Sequence, residues 1–132
     1  MKITKELLDE LSQKAQQSPR LRVAMDMRTD ANDQSQRMLN ALEPGTAVPV
    51  HRHRHSTETM IVLRGRLMEL LYDEEGNLTD RFEMAAGSAC AMIQLEKGQF
   101  HSLECLESGT VIFEAKDGAY APLPEEDVLN IK

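Results

Sequence analysis

Between Gly45 and Gly65 the chain reads G-T-A-V-P-V-H-R-H-R-H-S-T-E-T-M-I-V-L-R-G, and no other stretch limits the fold as tightly. His51, His53 and His55 stand at alternate positions, and a carboxylate, Glu58, follows. Alternate residues share a face of an extended strand but not of a helix. An extended chain here aims His51 and His53 at one point and turns Arg52 and Arg54 away. Histidine is the commonest protein metal ligand. A carboxylate beside two imidazoles makes a three-ligand site with room for water or substrate. Glu58 reaches such a site only if the chain turns between Arg54 and Thr57. That turn governs His55 as well. If the strand runs on past Arg54, His55 shares the parity of His51 and His53 and becomes the candidate catalytic base. If the chain turns there, His55 is an exposed histidine on the rim.

The rest of the chain alternates short strand signals with turns. Strands are expected over Leu21–Met27, Arg37–Leu42, Val48–His53, Thr59–Leu63, Arg66–Asp73, Leu78–Met84, Cys90–Leu95, His101–Leu106 and Thr110–Lys116. Glu43-Pro44-Gly45, Glu74-Glu75-Gly76-Asn77, Ala86-Gly87-Ser88 and Glu107-Ser108-Gly109 punctuate them. Thr4 is a plausible N-cap. Leu7, Leu8, Leu11 and Ala15 mark one helical face ending at Ser18-Pro19, fit to pack outside the sheet or across a dimer seam. Arg28 to Ser35 is a polar loop, and Glu125 to Ile131 has room for one or two helical turns. Many short strands with helix only at the ends predict an all-β, double-sheet jelly roll.

A further ligand candidate stands at His101, where Leu95-Glu96-Lys97-Gly98-Gln99-Phe100 turns around Gly98 into a strand. With both segments in view, the chain resembles the cupin superfamily. The first cupin motif, G-x5-H-x-H-x4-E-x6-G, is met without a gap by Gly45, His51, His53, Glu58 and Gly65. The second, G-x5-P-x-G-x2-H-x3-N, is met by Gly87, Gly98 and His101 once a longer hairpin is allowed. Glu96 replaces the usual proline, which removes a stiffener from the turn, and Cys105 replaces the usual asparagine. Shorter runs (Ser18-Pro19-Arg20-Leu21-Arg22, Ala41 to Thr46, Ile61 to Arg66, Phe113-Glu114-Ala115-Lys116) resemble WbuC-type cupin metalloproteins. These are small bacterial proteins often encoded among surface-polysaccharide sugar genes.

The resemblance implies a double-stranded β-helix, the jelly-roll cupin barrel, with a short N-terminal helix and a short helical C-terminal tail. One cupin domain over 1–132 is expected: helix and lead-in at 1–20, barrel at about 37–116, tail at 117–132. It further implies one divalent metal ion (Fe, Mn, Ni or Zn) held by His51, His53, His101 and Glu58. In cupins the acidic residue either binds the metal or stands behind the histidines. A homodimer is expected on the same ground.

Candidate pocket residues follow from strand position. Met60 shares the parity of Glu58, and Phe100, Cys105 and Phe113 fall on neighbouring strands. Arg66 and Tyr72 share a parity that would offer a substrate a cation and a hydroxyl, or else place both at an exposed edge. Eight methionines suit an irregular core more than a soft-metal site. The net charge of −7 excludes a nucleic-acid footprint. Arg52, Arg54, Arg64 and Arg66 form a local basic exception, able to guide a small anion or merely to be solvated. Two cysteines, Cys90 and Cys105, make no disulfide framework. No apolar leader or membrane-length run occurs, so a cytoplasmic protein is expected. The leading expectation is a metal-dependent enzyme (isomerase or epimerase, lyase or dioxygenase) acting on a carbohydrate-like or hydroxy-acid substrate. The alternative is a non-catalytic, metal-anchored module that binds or senses a small, anionic or sugar-like molecule.

Overall fold

A computed structural model describes residues 1–131. Helix α1 (Lys5–Gln17) starts where Thr4 Oγ1 accepts the Leu7 N–H at 3.2 Å. It stops at Ser18, which is extended ahead of Pro19, as a residue before proline prefers. Ten strands follow: β1 (Arg22–Asp26), β2 (Ser35–Leu42), β3 (Val50–His51), β4 (Glu58–Arg64), β5 (Arg66–Tyr72), β6 (Leu78–Ala85), β7 (Met92–Leu95), β8 (Phe100–Cys105), β9 (Thr110–Asp117) and β10 (Val128–Leu129). They form two five-stranded antiparallel sheets in the orders β1-β2-β9-β4-β7 and β10-β3-β8-β5-β6. The fold is the all-β jelly roll of the cupins.

The expected strands are present, four of them longer than expected and the others shortened or shifted at their ends. The strand expected over Val48–His53 shrinks to β3, so His53 lies just beyond a strand. The helical tail reduces to one 3-10 turn at Glu125–Asp127, followed by β10 paired to β3. The sheets thus extend beyond the expected 37–116 span on both sides, with β1 before it and β10 after it.

Strand alternation separates two cores. Between the sheets, Leu42, Met60, Val62, Leu67, Met84, Cys105 and Ile112 close one end of the barrel. Full burial of each large side chain contributes about 1.5–3 kcal/mol. On the outside of the first sheet, Leu39, Ala41 and Val111 pack under Leu11 and Ala15 of α1, with Phe113 at the margin. Gly65, at φ 86°, lets β4 turn into β5 where a Cβ would stand 2.7 Å from the Thr110 Cα. No helix among the described residues is long and apolar enough to cross a membrane.

Candidate metal centre

Three backbone contacts bring the histidines together. His51 on β3 is the direct cross-strand partner of His101 on β8. The His53 carbonyl accepts the Gly98 N–H at 2.9 Å, which joins the first motif to the turn that launches β8. The Arg52 N–H donates to the Asp127 carbonyl at 3.0 Å, so the chain stays extended past the end of β3. One ring nitrogen from each of His51, His53 and His101 then falls within 4.8 Å of the other two.

The rings are also oriented. His51 Nδ1 lies 2.8 Å from the Pro49 carbonyl and His101 Nδ1 lies 3.0 Å from the Gln99 carbonyl. A carbonyl oxygen only accepts, so Nδ1 must carry the proton and Nε2 presents its lone pair, the arrangement seen in metal-bound imidazoles. Burial, reinforced by the nearby His101, pulls the His51 pKa down to about 4. Burial and the Lys116 charge do the same for His53. Both rings are therefore neutral, as ligation requires.

Glu58, 4 % exposed, stands beside this cluster. Its Oε2 is 3.1 Å from His101 Nε2 and 3.7 Å from His53 Nε2. Neither Glu58 Oε2 nor His53 Nε2 has a hydrogen-bond partner. Orphaned Glu58 Oε2 and His53 Nε2, beside the Nε2 atoms of His51 and His101, fit a bound cation, which would satisfy them. Behind Glu58, Lys116 Nζ approaches Oε1 at 3.7 Å. Burial alone would raise the Glu58 pKa. The hydrogen bond from Glu114 and the Lys116 charge outweigh it and hold the group well below the usual carboxylate range. Glu114 is pushed the other way by burial and by Glu58, so the pair shares one proton, carried by Glu114. Asn40 Nδ2 donates to Glu114 Oε1 at 2.7 Å.

His51, His101 and Glu58 form one wall of a cavity of about 240 Å3 between the sheets, whereas His53 lines a neighbouring surface pocket together with His55. Met60, Leu103 and Ile112 supply apolar walls, Glu69 and Glu114 supply acids, and Arg20 and Arg22 join the exposed Ala24 at the mouth. Leu21 between these arginines takes φ 55°, a left-handed backbone that a leucine adopts only under constraint.

Several expected residues lie elsewhere. The chain bends at Arg54, so His55 is exposed on the rim and does not line the cavity, contrary to the catalytic-base reading. Phe100 is turned to the opposite face of β8 and packs under the Arg52 guanidinium, 4.7 Å from the ring centre. Cys105 does face inward, but sits in the closed core with its thiol donating to Glu107 and Leu42 carbonyls. Cys90 is half-buried. Phe113 faces α1, because Ile112 and Glu114 take the inward parity of β9. Arg66 and Tyr72 pair with residues of the outer face of their sheet, and Arg66 binds Glu83 at 2.6 Å. The basic exception is likewise neutralised. Arg52 and Arg54 share Asp127 at 2.8 and 2.7 Å, and Arg64 holds Asp9 at 2.6 Å. None of the four guides an anion to the cavity.

The cavity's polar residues Arg20, Arg22, Glu69 and Glu114 were not among the sequence candidates. Glu69 had a signal: it is the one acid in the apolar strand Leu67-Met68-Glu69-Leu70-Leu71, on the parity of Leu67. Arg20, Arg22 and Glu114 lay inside the runs that carry the narrower family resemblance, but nothing local marked their direction.

The model of a domain of unknown function, DUF6016, matches residues 3–84. The chain belongs to this family. The match takes in His51, His53, Glu58 and Glu69 and ends before His101 and Glu114. No curated protein matches the sequence. Among solved structures, a variant of oxalate decarboxylase from Bacillus subtilis is similar at TM-score 0.57 and 20% identity, over 73% of this chain and 25% of its own. KdgF from Halomonas sp. is similar at TM-score 0.58 and 14% identity, over 78% and 84% of the two chains. Oxalate oxidase in complex with the substrate analogue glycolate gives TM-score 0.58 and 14% identity, over 76% and 53%. These neighbours are cupins, and the chain spans about a quarter of the length of the oxalate decarboxylase. At such identities they establish the shared fold.

Proposed function

We propose that this protein is a divalent-metal-dependent cupin that acts on a small, oxygen-rich anion, a hydroxy acid or a sugar-derived acid. The observation that carries this reading is the convergence of three imidazoles, two of them turned by backbone carbonyls, beside a cavity that His51 and His101 line. His51, His53 and His101 would hold the metal, with Glu58 as the fourth ligand or as the charge behind it. Imidazole with carboxylate suits Fe, Mn, Ni or Zn. When bound, the ion supplies Lewis acidity towards a carbonyl or hydroxyl oxygen or activates water.

The chain's own residues do the rest. Arg20 and Arg22 meet no carboxylate among the described residues, whereas the other arginines beside motif segments are all paired. Two free guanidinium groups at the mouth suit a carboxylate. A cavity of about 240 Å3 is below the roughly 300–1,000 Å3 of pockets for drug-sized ligands, so a nucleotide sugar is too large. Glu114 and Glu58 share a proton that can be moved at Glu114 Oε. Two carboxyl groups beyond the ligand set favour catalysis, by isomerisation or epimerisation, lyase chemistry or dioxygenation. A metal-anchored binding or sensing module, the second reading, needs no such proton store. The glycolate bound to the oxalate oxidase supports a hydroxy acid as probe. The WbuC resemblance supports a surface-polysaccharide setting and a homodimer.

The test is a titration of metal-loaded protein with glycolate. Saturable binding is expected, weakened about tenfold by Arg22→Ala, the worth of one charge-assisted hydrogen bond of about 1.5 kcal/mol. Absence of glycolate binding to the metal-loaded wild type contradicts the hydroxy-acid reading.

A further inference from the structure

Glu69 lies mid-strand in β5, only 1 % exposed, with Leu67 and Leu71 as its neighbours on the inward face. Its cross-strand partners are Leu103 on β8 and Phe82 on β6. In these apolar surroundings its Oε2 has no hydrogen-bond partner. An unpartnered buried polar group costs about 1–3 kcal/mol, and an apolar residue of similar shape removes that cost. Stability therefore does not explain why an acid stands here. Location offers a reason, because Glu69 lines the cavity that His51 and His101 also line.

We propose that Glu69 is the ligand-reading residue of this cavity, its carboxyl group left free of protein partners so that it can hydrogen-bond an oxygen of a small hydroxy acid. The inference rests on the metal-anchored small-molecule function proposed above. The charged and titratable groups that line the cavity with Glu69 are Glu58 on β4, Glu114 on β9, His51 on β3, His101 on β8, and Arg20 and Arg22 at the mouth. Burial first, and the two acids next, push its pKa up to about 9. At neutral pH the group is therefore a neutral acid with one O–H donor and acceptor capacity to spare. A buried donor of this kind discriminates strongly, since a ligand without the matching oxygen leaves it unpaired. Arg20 and Arg22 provide charge at the mouth, whereas Glu69 reads an oxygen at the inner wall.

The test uses glycolate and acetate, which differ by one hydroxyl, on the metal-loaded protein. Wild type is expected to prefer glycolate by at least about tenfold. Glu69→Gln keeps a donor and is expected to keep that preference within about threefold. Glu69→Leu and Glu69→Met are expected to lose it, with metal content unchanged and a melting temperature no lower than wild type. Apolar variants that retain the glycolate preference overturn the proposal. So does collapse of the fold in both, which would make the carboxyl a structural group. Failure of wild type itself to bind glycolate while holding metal removes the ligand reading beneath it, and is told apart by that wild-type control.

Discussion

Two carbonyl groups, those of Pro49 and Gln99, decide which nitrogen His51 and His101 turn towards the cavity. The acids around them divide by environment. Glu58 has Lys116 and His101 for company and ionises, whereas Glu69 has leucines and two acids and does not. That contrast sets a pH dependence. In the unfolded chain a glutamate titrates near 4.5, and in the fold Glu69 titrates at about 9. Between these values the native state binds the extra proton, so the contribution of Glu69 to stability is fully present below 4.5 and is lost as pH rises through 9. Melting curves of the metal-free wild type and Glu69→Gln from pH 5 to 9 are the check. The wild type is expected to lose ground steadily against the variant as pH rises, by several degrees at about 2–8 °C per kcal/mol. Parallel curves would contradict a buried neutral acid.

At the level of elements, β3 carries the first two histidines yet is only two residues long. It is held from one side by β8 and from the other by the tail, through β10 and Asp127. The Asp127 side chain is buried at 4 % exposure and takes both Arg52 and Arg54. Burial would raise its pKa, but these two arginines keep it below the usual carboxylate range. The arginines alternating with the histidines thus anchor the metal-facing segment from behind. Asp127→Ala is expected to cost on the order of 2 kcal/mol of stability and to weaken metal binding about tenfold by loosening His51 and His53. Chemical denaturation and a competitive chelator titration measure the two effects. Unchanged metal affinity in a destabilised variant would show that the tail braces only the fold. The brace from the tail was not legible in the sequence, because no local period links Asp127 and β10 to the histidine segment.

Across the whole molecule, legibility followed alternation. In β4 the inward set Glu58, Met60 and Val62 is buried while Ile61 and Leu63 are less so, and the sequence reading placed Met60 on the parity of Glu58. Thr110, Val111 and Ile112 of β9 are all buried, because α1 covers one face and the barrel the other. Such a run does not show which parity points inward, so Phe113 was chosen over Glu114. A bulge between Val62 and Arg64 shifts the β4 register against β9 as well. Arg20 and Arg22 escaped notice because they precede the expected barrel and reach the cavity only through the left-handed turn at Leu21. The histidines were readable because their spacing, their strand and their turn all agree. The most direct measurement is elemental analysis of the protein purified without added metal, beside His53→Ala and His101→Ala. A three-imidazole centre predicts about one divalent ion per wild-type chain and almost none in either variant, with the β-sheet circular dichroism unchanged. Full metal retention in both folded variants would contradict it.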